Sequence, residues 1–433
     1  MYPPRSRRLV SACVAAAVAA GVLTACSGSS ESGASTSGGT TTLVLWTHNA
    51  GNDKELGVVK QVIADFNAGQ TKYKVEYQAF PQGAYNDAVV AAASARKLPC
   101  VLDVDGPNVP NWAWAKYLEP LDQPESAFAG QLPSTVGKYD GKLYGFGFYD
   151  VAVSMITRKS ILVDNGIRIP TLDQPWTAAE FAAGLAKLKA TGKYAYPLDL
   201  GTGGTGEWWP YGYSPLLQSF GGDLINRSTY TSAHGALDGA QALAWAKWFQ
   251  GLATDGLVAK KSGDDPAVDF INGKTAINWN GSWAADQVTA KFDDALFLPP
   301  PDFGNGPKIG GASWQWAISS SCTAKDGAQA YLQFSHQTKY FVEFAKTLGL
   351  IPATQDAAAQ VPNFAPGGKY RVFLDLASRY ALVRPVTPAY PFISSVFAKA
   401  AQDILNGADP QKTLDKAVSD IDGNIKQNDN YRS

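Results

Sequence analysis

The chain contains only 2 methionines, 3 histidines and 4 cysteines in 433 residues, and its body carries no run of lysine or arginine. Each scarcity removes a class of function. With no basic stripe and a net charge of −1, nothing is available to neutralise a row of phosphates, so no nucleic-acid partner is expected. His48, His234 and His336 are scattered without metal-ligand spacing, so neither a metal nor a cofactor is expected. A Walker loop, a dinucleotide fingerprint and a nucleophile elbow are all missing. Gly201–Gly206 is rich in glycine but lacks the Lys-Ser/Thr and the helix start of a phosphate loop, and it reads as a cleft loop. After the first 25 residues no stretch approaches the ~20 apolar residues that a membrane span needs.

What is abundant is aromatic. Tryptophan occurs 12 times, tyrosine 19 and phenylalanine 19, within a chain that is 45% hydrophobic. The length suits two to three units of ~100–200 residues. Arg5, Arg7 and Arg8 precede an uncharged apolar segment from Leu9 to Ala25, the layout of an export signal. It closes on Leu23-Thr24-Ala25-Cys26, which resembles the bacterial lipobox, so residues 1–25 are expected to be removed and Cys26 to carry the lipid. Residues 26–40 are nearly all Ser, Gly, Thr and Ala and are expected to form a flexible tether. Outside the cytoplasm, the remaining pair Cys100 and Cys322 is more often a disulfide than two free thiols.

Thr42–Thr47 reads as a buried strand, Leu56, Val59, Val62 and Phe66 as one face of a helix stopped by Gly69, and Tyr73–Ala79 as an alternating strand. Tyr85–Ala92 marks a second helix and residues 100–104 a third strand. This β-α-β-α-β order implies a parallel sheet. Thr177-x-x-Glu180 is a capping box opening a helix. Strands are expected at 275–279 and 313–319, and helices at 325–348, 370–382, 389–406 and 410–426.

Several of these segments together resemble the maltose-binding-protein-like family of extracellular solute-binding lipoproteins. They are Leu45-Trp46, Leu98–Asp105, Lys142–Gly145, Phe270 with Gly273–Ile277, Gly281–Trp283, Gly310-Gly311 ahead of Ile318-Ser319, and Arg384-Pro385 through Asn406-Gly407. Cys100 departs from the family pattern, standing where an Asp is usual. The resemblance implies an α/β fold of two lobes with a ligand cleft between them, lobe 1 at 41–147 and 303–350, lobe 2 at 148–302 and 351–433. It also puts Cys100 and Cys322 in one lobe, and it implies ABC-importer permease subunits as partners, a separate ATPase acting through them, and a monomeric binding protein held to the membrane by its lipid.

The residue chemistry points to sugar. A pyranose presents a weakly apolar C–H face and a rim of hydroxyls, so its binder needs aromatic platforms with amides and carboxylates around them. Trp46, Trp208, Trp209, Trp279, Trp283 and Trp314 fall at expected strand ends or loops and are assigned to the cleft. Asn49, Asp105, Asn108, Tyr149, Asp150, Glu207, Asn280 and Gly311 join them as ligand-binding candidates. Trp245 and Trp248 are assigned to packing on a helix, and Trp112, Trp114 and Trp316 to the core. A di- or oligosaccharide is expected, with a polyol, peptide or glycerophosphodiester as alternatives on the same scaffold. A lipid-anchored glycoside hydrolase would need a marked carboxylate pair. None is evident, so no catalytic residue is expected. Cys26→Ser should move the chain from the membrane fraction to the medium, read by immunoblot of fractionated cells.

Overall fold

In the computed structural model the described residues are 34–432 except Asp264 and Ala312, so the export signal and Cys26 lie outside them. Two sheets organise the chain. The first has eight strands. Its parallel part is β2 (Thr40–Thr47), β3 (Tyr73–Ala79) and β4 (Val101–Asp105), connected by α1 (Asp53–Gly69) and α2 (Gln82–Ser94). This is the expected β-α-β-α-β unit, with β2 in the middle. After β4 come α3 (Val109–Trp114), β5 (Leu118–Glu119), β6 (Val136–Tyr139) and β7 (Lys142–Phe146). The chain then leaves this sheet and returns much later as β14 (Trp314–Ser319), which lies antiparallel between β4 and β7.

The second sheet has four strands in the order β10 (Tyr196–Asp199), β11 (Thr275–Gly281), β9 (Val153–Arg158) and β12 (Ala295–Leu298). Around it the chain winds α4 (Lys159–Asp164), α5 (Ala178–Ala190), α6 (Trp208–Ser219), α7 (Ala240–Thr254), α8 (Pro266–Ile271) and α9 (Ala285–Lys291). The capping box opening α5 forms as expected: Thr177 Oγ1 accepts the Glu180 N–H, and Glu180 accepts the Thr177 N–H. Two short ladders mark where the chain crosses. β8 (Tyr149–Asp150) pairs with β15 (Ile351–Pro352), and β13 (Ile309–Gly311) pairs with β16 (Ala381–Val383).

The C-terminal third is helical: α10 (Lys325–Ser335), α11 (Thr338–Leu348), α12 (Gln355–Ala359), α13 (Arg371–Tyr380), α14 (Tyr390–Leu405) and α15 (Pro410–Gln427). The single helix expected over 325–348 is broken at His336, whose ring packs on Phe128, Phe146 and Phe341 and reaches Gln131 Oε1 at 2.8 Å. A tertiary contact, not a breaker residue, interrupts it. The stretch read as a flexible tether is also corrected at its end: β1 (Ala34–Ser37) pairs antiparallel with β2. Gly38 and Gly39, both at positive φ, make the two-residue turn that this hairpin requires.

Cys100 and Cys322 are bonded, across 222 residues of sequence, at the base of β4 and just past β14. The cross-link therefore pins the one strand that enters this sheet late to a strand made early, which restricts the unfolded chain over a long loop. Replacing both cysteines by alanine should lower the unfolding free energy by about 2–5 kcal/mol, read from urea midpoints with and without reductant. An unchanged midpoint would show the β4–β14 ladder holding by itself.

Candidate binding groove

The carboxyl end of β4 delivers Asp105 directly opposite Trp314, its register partner on β14, so the two side chains share one face of the sheet. Asp105 does not stand free. Arg384, the residue after β16, reaches Asp105 Oδ1 at 3.3 Å with one guanidinium nitrogen and Glu207 Oε1 at 2.5 Å with the other. Glu207 precedes α6 and also accepts from the Tyr390 hydroxyl and, at 2.6 Å, from Ser394. One buried cation thus ties a carboxylate of the first sheet to a carboxylate beside the second. The guanidinium also lies over the rings of Tyr211 and Tyr390, 5.4 and 5.9 Å from their centroids.

Tyr211 leads into an aromatic wall. Trp283 lies 6.2 Å from both Tyr211 and Trp208, and it is 43% exposed, the only tryptophan among the exposed large hydrophobics of the described residues. Trp208 is half-buried and packs on Tyr213. Gly310 on β13 makes room for Tyr211: a Cβ there would sit 2.6 Å from the ring and 2.8 Å from its carbonyl oxygen. Gly311, the residue singled out from the sequence, instead pairs with Val383 in the crossover ladder.

The first sheet contributes a second aromatic cluster. Trp314 stacks on His48, with ring centroids 3.7 Å apart and planes 11° from parallel, and Tyr85 meets both rings edge-on. Trp46 is half-buried and packs on Phe80 at 4.7 Å. Asn49 is buried, bonded to Thr47 and to the His48 ring. His48 was missed by sequence reading because a lone histidine carries no spacing signal. It is bonded through Nδ1 to Asp103, with Glu55 3.8 Å from Nε2.

Two assignments from the sequence are corrected. Trp279 is fully buried, its indole N–H donating to Gly212 O at 3.0 Å, and Trp209 is buried with its N–H on Gly204 O at 2.8 Å. Trp279 points from β11 onto α6, and Trp209 packs against Tyr213 one turn along α6. Tyr149 and Asp150 also lie inside: β8 is a crossover strand, where the Tyr149 hydroxyl donates to Glu55 at 2.5 Å and Asp150 accepts from Ser134 at 2.5 Å. Asn280 is buried, accepting from the Gly281 N–H. Asn108 is half-buried, in the turn between β4 and α3. Trp245 and Trp316 are core as assigned, and Trp112 is buried too, whereas Trp114 and Trp248 are half-buried.

Burial raises the Asp105 carboxyl, Arg384 lowers it and Glu207 raises it, with the balance at about 6. Because the folded value is raised, the proton on Asp105 favours folding below about pH 4, and this contribution is lost as pH rises through about 6. Removing the cation alone leaves the buried Asp105 carboxylate unpaired beside the partly exposed Glu207. Arg384→Met should therefore cost about 3–5 kcal/mol, with a larger loss at pH 8 than at pH 5. The triple change Arg384→Met, Asp105→Asn, Glu207→Gln should recover much of it, read by urea denaturation.

Comparison with known proteins places this arrangement. A model described as bacterial extracellular solute-binding protein matches residues 61–366. A lipoprotein of Streptomyces antibioticus, described as uncharacterised and encoded in the oleD 5′ region, is 22% identical over 325 residues, 70% of this chain and 68% of that one. Among solved structures, the GacH receptor of Streptomyces glaucescens, studied unliganded and with acarbose, is similar with a TM-score of 0.71 at 20% identity, over 89% of this chain and 97% of that one. The cyclic α-maltosyl-1,6-maltose binding protein of Arthrobacter globiformis gives 0.74 at 20% identity, over 90% and 100%. These likenesses establish the two-lobed fold, and the family model, spanning well over half of the chain, establishes descent: the chain belongs to the bacterial extracellular solute-binding proteins.

Proposed function

We propose that this protein captures a neutral di- or oligosaccharide outside the cell membrane and passes it to the permease subunits of an ABC importer, acting as a lipid-anchored monomer without chemistry of its own. One observation carries the reading. Trp314, Asp105, Arg384, Tyr211 and Trp283 form a continuous line of contacts from the first sheet to the second, alternating aromatic faces with an Asp105–Arg384 pair whose guanidinium also holds Glu207. Such a line offers stacking surface and hydroxyl partners, and its two carboxylates to one guanidinium disfavour an anionic solute. Similar folds described as binding acarbose or cyclic α-maltosyl-1,6-maltose support the same class.

Closure of 41–147 with 303–350 against 148–302 with 351–433 would bury the ligand, bending at the β8–β15 and β13–β16 ladders. A hydrolytic reading gains nothing from Asp105 and Glu207, because both are engaged by one guanidinium.

Titration calorimetry against maltose, maltotetraose, acarbose and a polyol, peptide and glycerophosphodiester panel tests the proposal. A neutral saccharide should bind, with compaction in small-angle scattering, and Trp283→Ala should weaken it by about 1–3 kcal/mol. Binding confined to charged or non-sugar solutes would sink it.

A further inference from the structure

His48 follows β2, buried, between two carboxylates and beneath a tryptophan that the proposed binding does not by itself explain. Every packed element presents a group to it: Asp103 and Asp105 from β4, Glu55 from the first turn of α1, Tyr85 from α2, Trp314 from β14, and Tyr149 from β8 through Glu55. The two ring nitrogens are held differently. Nδ1 bonds Asp103, which fixes the ring plane. Nε2 faces the Asn49 side-chain amide at 3.1 Å and the Glu55 carboxylate at 3.8 Å.

That geometry has two hydrogen-bonded forms. With the proton on Nδ1 only, Nε2 accepts from Asn49 Nδ2. A second proton makes Nε2 a donor, and the Glu55 carboxylate 3.8 Å away is then its ion-pair partner. Glu55 also accepts from Tyr149 on the crossover strand, so the extra proton tightens one chain of bonds from Trp314's partner ring to the crossover.

We infer that His48 is a positioning residue for Trp314, and that a proton taken up by its imidazole locks the Trp314 face in place and so couples ligand affinity to pH. For affinity the inference rests on the binding reading above; for the His48–Trp314 pair it stands alone. Burial opposes charge on the ring, but Asp103, Glu55 and Asp105 together outweigh it and raise the His48 pKa above its ordinary value. The locked form is therefore present below that raised value and is lost as pH rises through it.

With only three histidines in the chain, ¹³C-labelled imidazoles can be followed individually and assigned with His48→Gln. In ligand-free protein His48 should titrate above free histidine. Tryptophan emission, quenched by a protonated ring stacked on indole, should rise over the same pH range. That rise should vanish in both His48→Gln and Trp314→Phe, and persist in Asp105→Asn, which separates it from the other groove acid. A His48 titration below that of free histidine, or an emission step that survives in Trp314→Phe, overturns the pairing. In calorimetry with maltotetraose and acarbose, affinity should fall about fivefold as pH rises through the His48 titration seen in the ligand-free protein. His48→Gln should flatten that profile, and a wild-type affinity independent of pH overturns the coupling. If neither saccharide binds at any pH, the saccharide reading fails for these ligands, while the ligand-free titration still decides the His48–Trp314 pairing.

Discussion

The constraint on which the groove depends is a single buried arginine. Arg384 sits nearly inaccessible to solvent among Asp105, Glu207, Tyr211 and Tyr390, and it holds both carboxylates at once. A guanidinium suits this place better than an ammonium would, because its planar fork can serve two acids in different directions while its face lies over aromatic rings. A buried ion cluster of this kind is poor evidence for stability, since desolvation opposes it. Its consequence is geometric: it fixes where a strand end of one sheet stands relative to a helix start beside the other.

The surrounding parts serve that geometry. The β13–β16 ladder carries Arg384 to its position, and Gly310 on the same ladder lets Tyr211 approach. The β8–β15 ladder runs alongside, tied to α1 through Glu55 and Tyr149. The Cys100–Cys322 bond secures the opposite end of β4, so the strand that presents Asp105 is anchored at its base and free to carry function at its tip. This agrees with the general placement of binding groups beyond the carboxyl ends of strands in α/β sheets.

How far the sequence could be read differs between fold and site. Period-2 and period-3.6 patterns located β2, β3, α1, α2 and the C-terminal helices to within a few residues, because burial on one face writes those periods into the chain. They misplaced the break at His336, which answers to aromatic side chains distant in sequence. The tryptophans show the limit more sharply. Trp279 and Trp283 are four residues apart on either side of Asn280-Gly281, yet one is fully buried and the other is the most exposed tryptophan among the described residues. Trp279 lies within β11, which is buried throughout, and its indole N–H is taken up by Gly212 of α6, whereas Trp283 lies beyond the strand end. That difference depended on where α6 packed against the strand.

By itself the sequence pointed to an export signal, a parallel α/β sheet, a cysteine couple and a surplus of aromatic side chains through composition and periodicity, and the second lobe only through its resemblance to a known family. Tertiary structure alone decided the groove. Arg384, His48 and Tyr211 reach their partners across 279, 55 and 173 residues respectively, and no pattern short of the folded chain records such contacts. Local sequence fixes which elements form because hydrogen bonding and burial act on neighbours. It leaves open which side chains converge, because that follows from how completed elements pack.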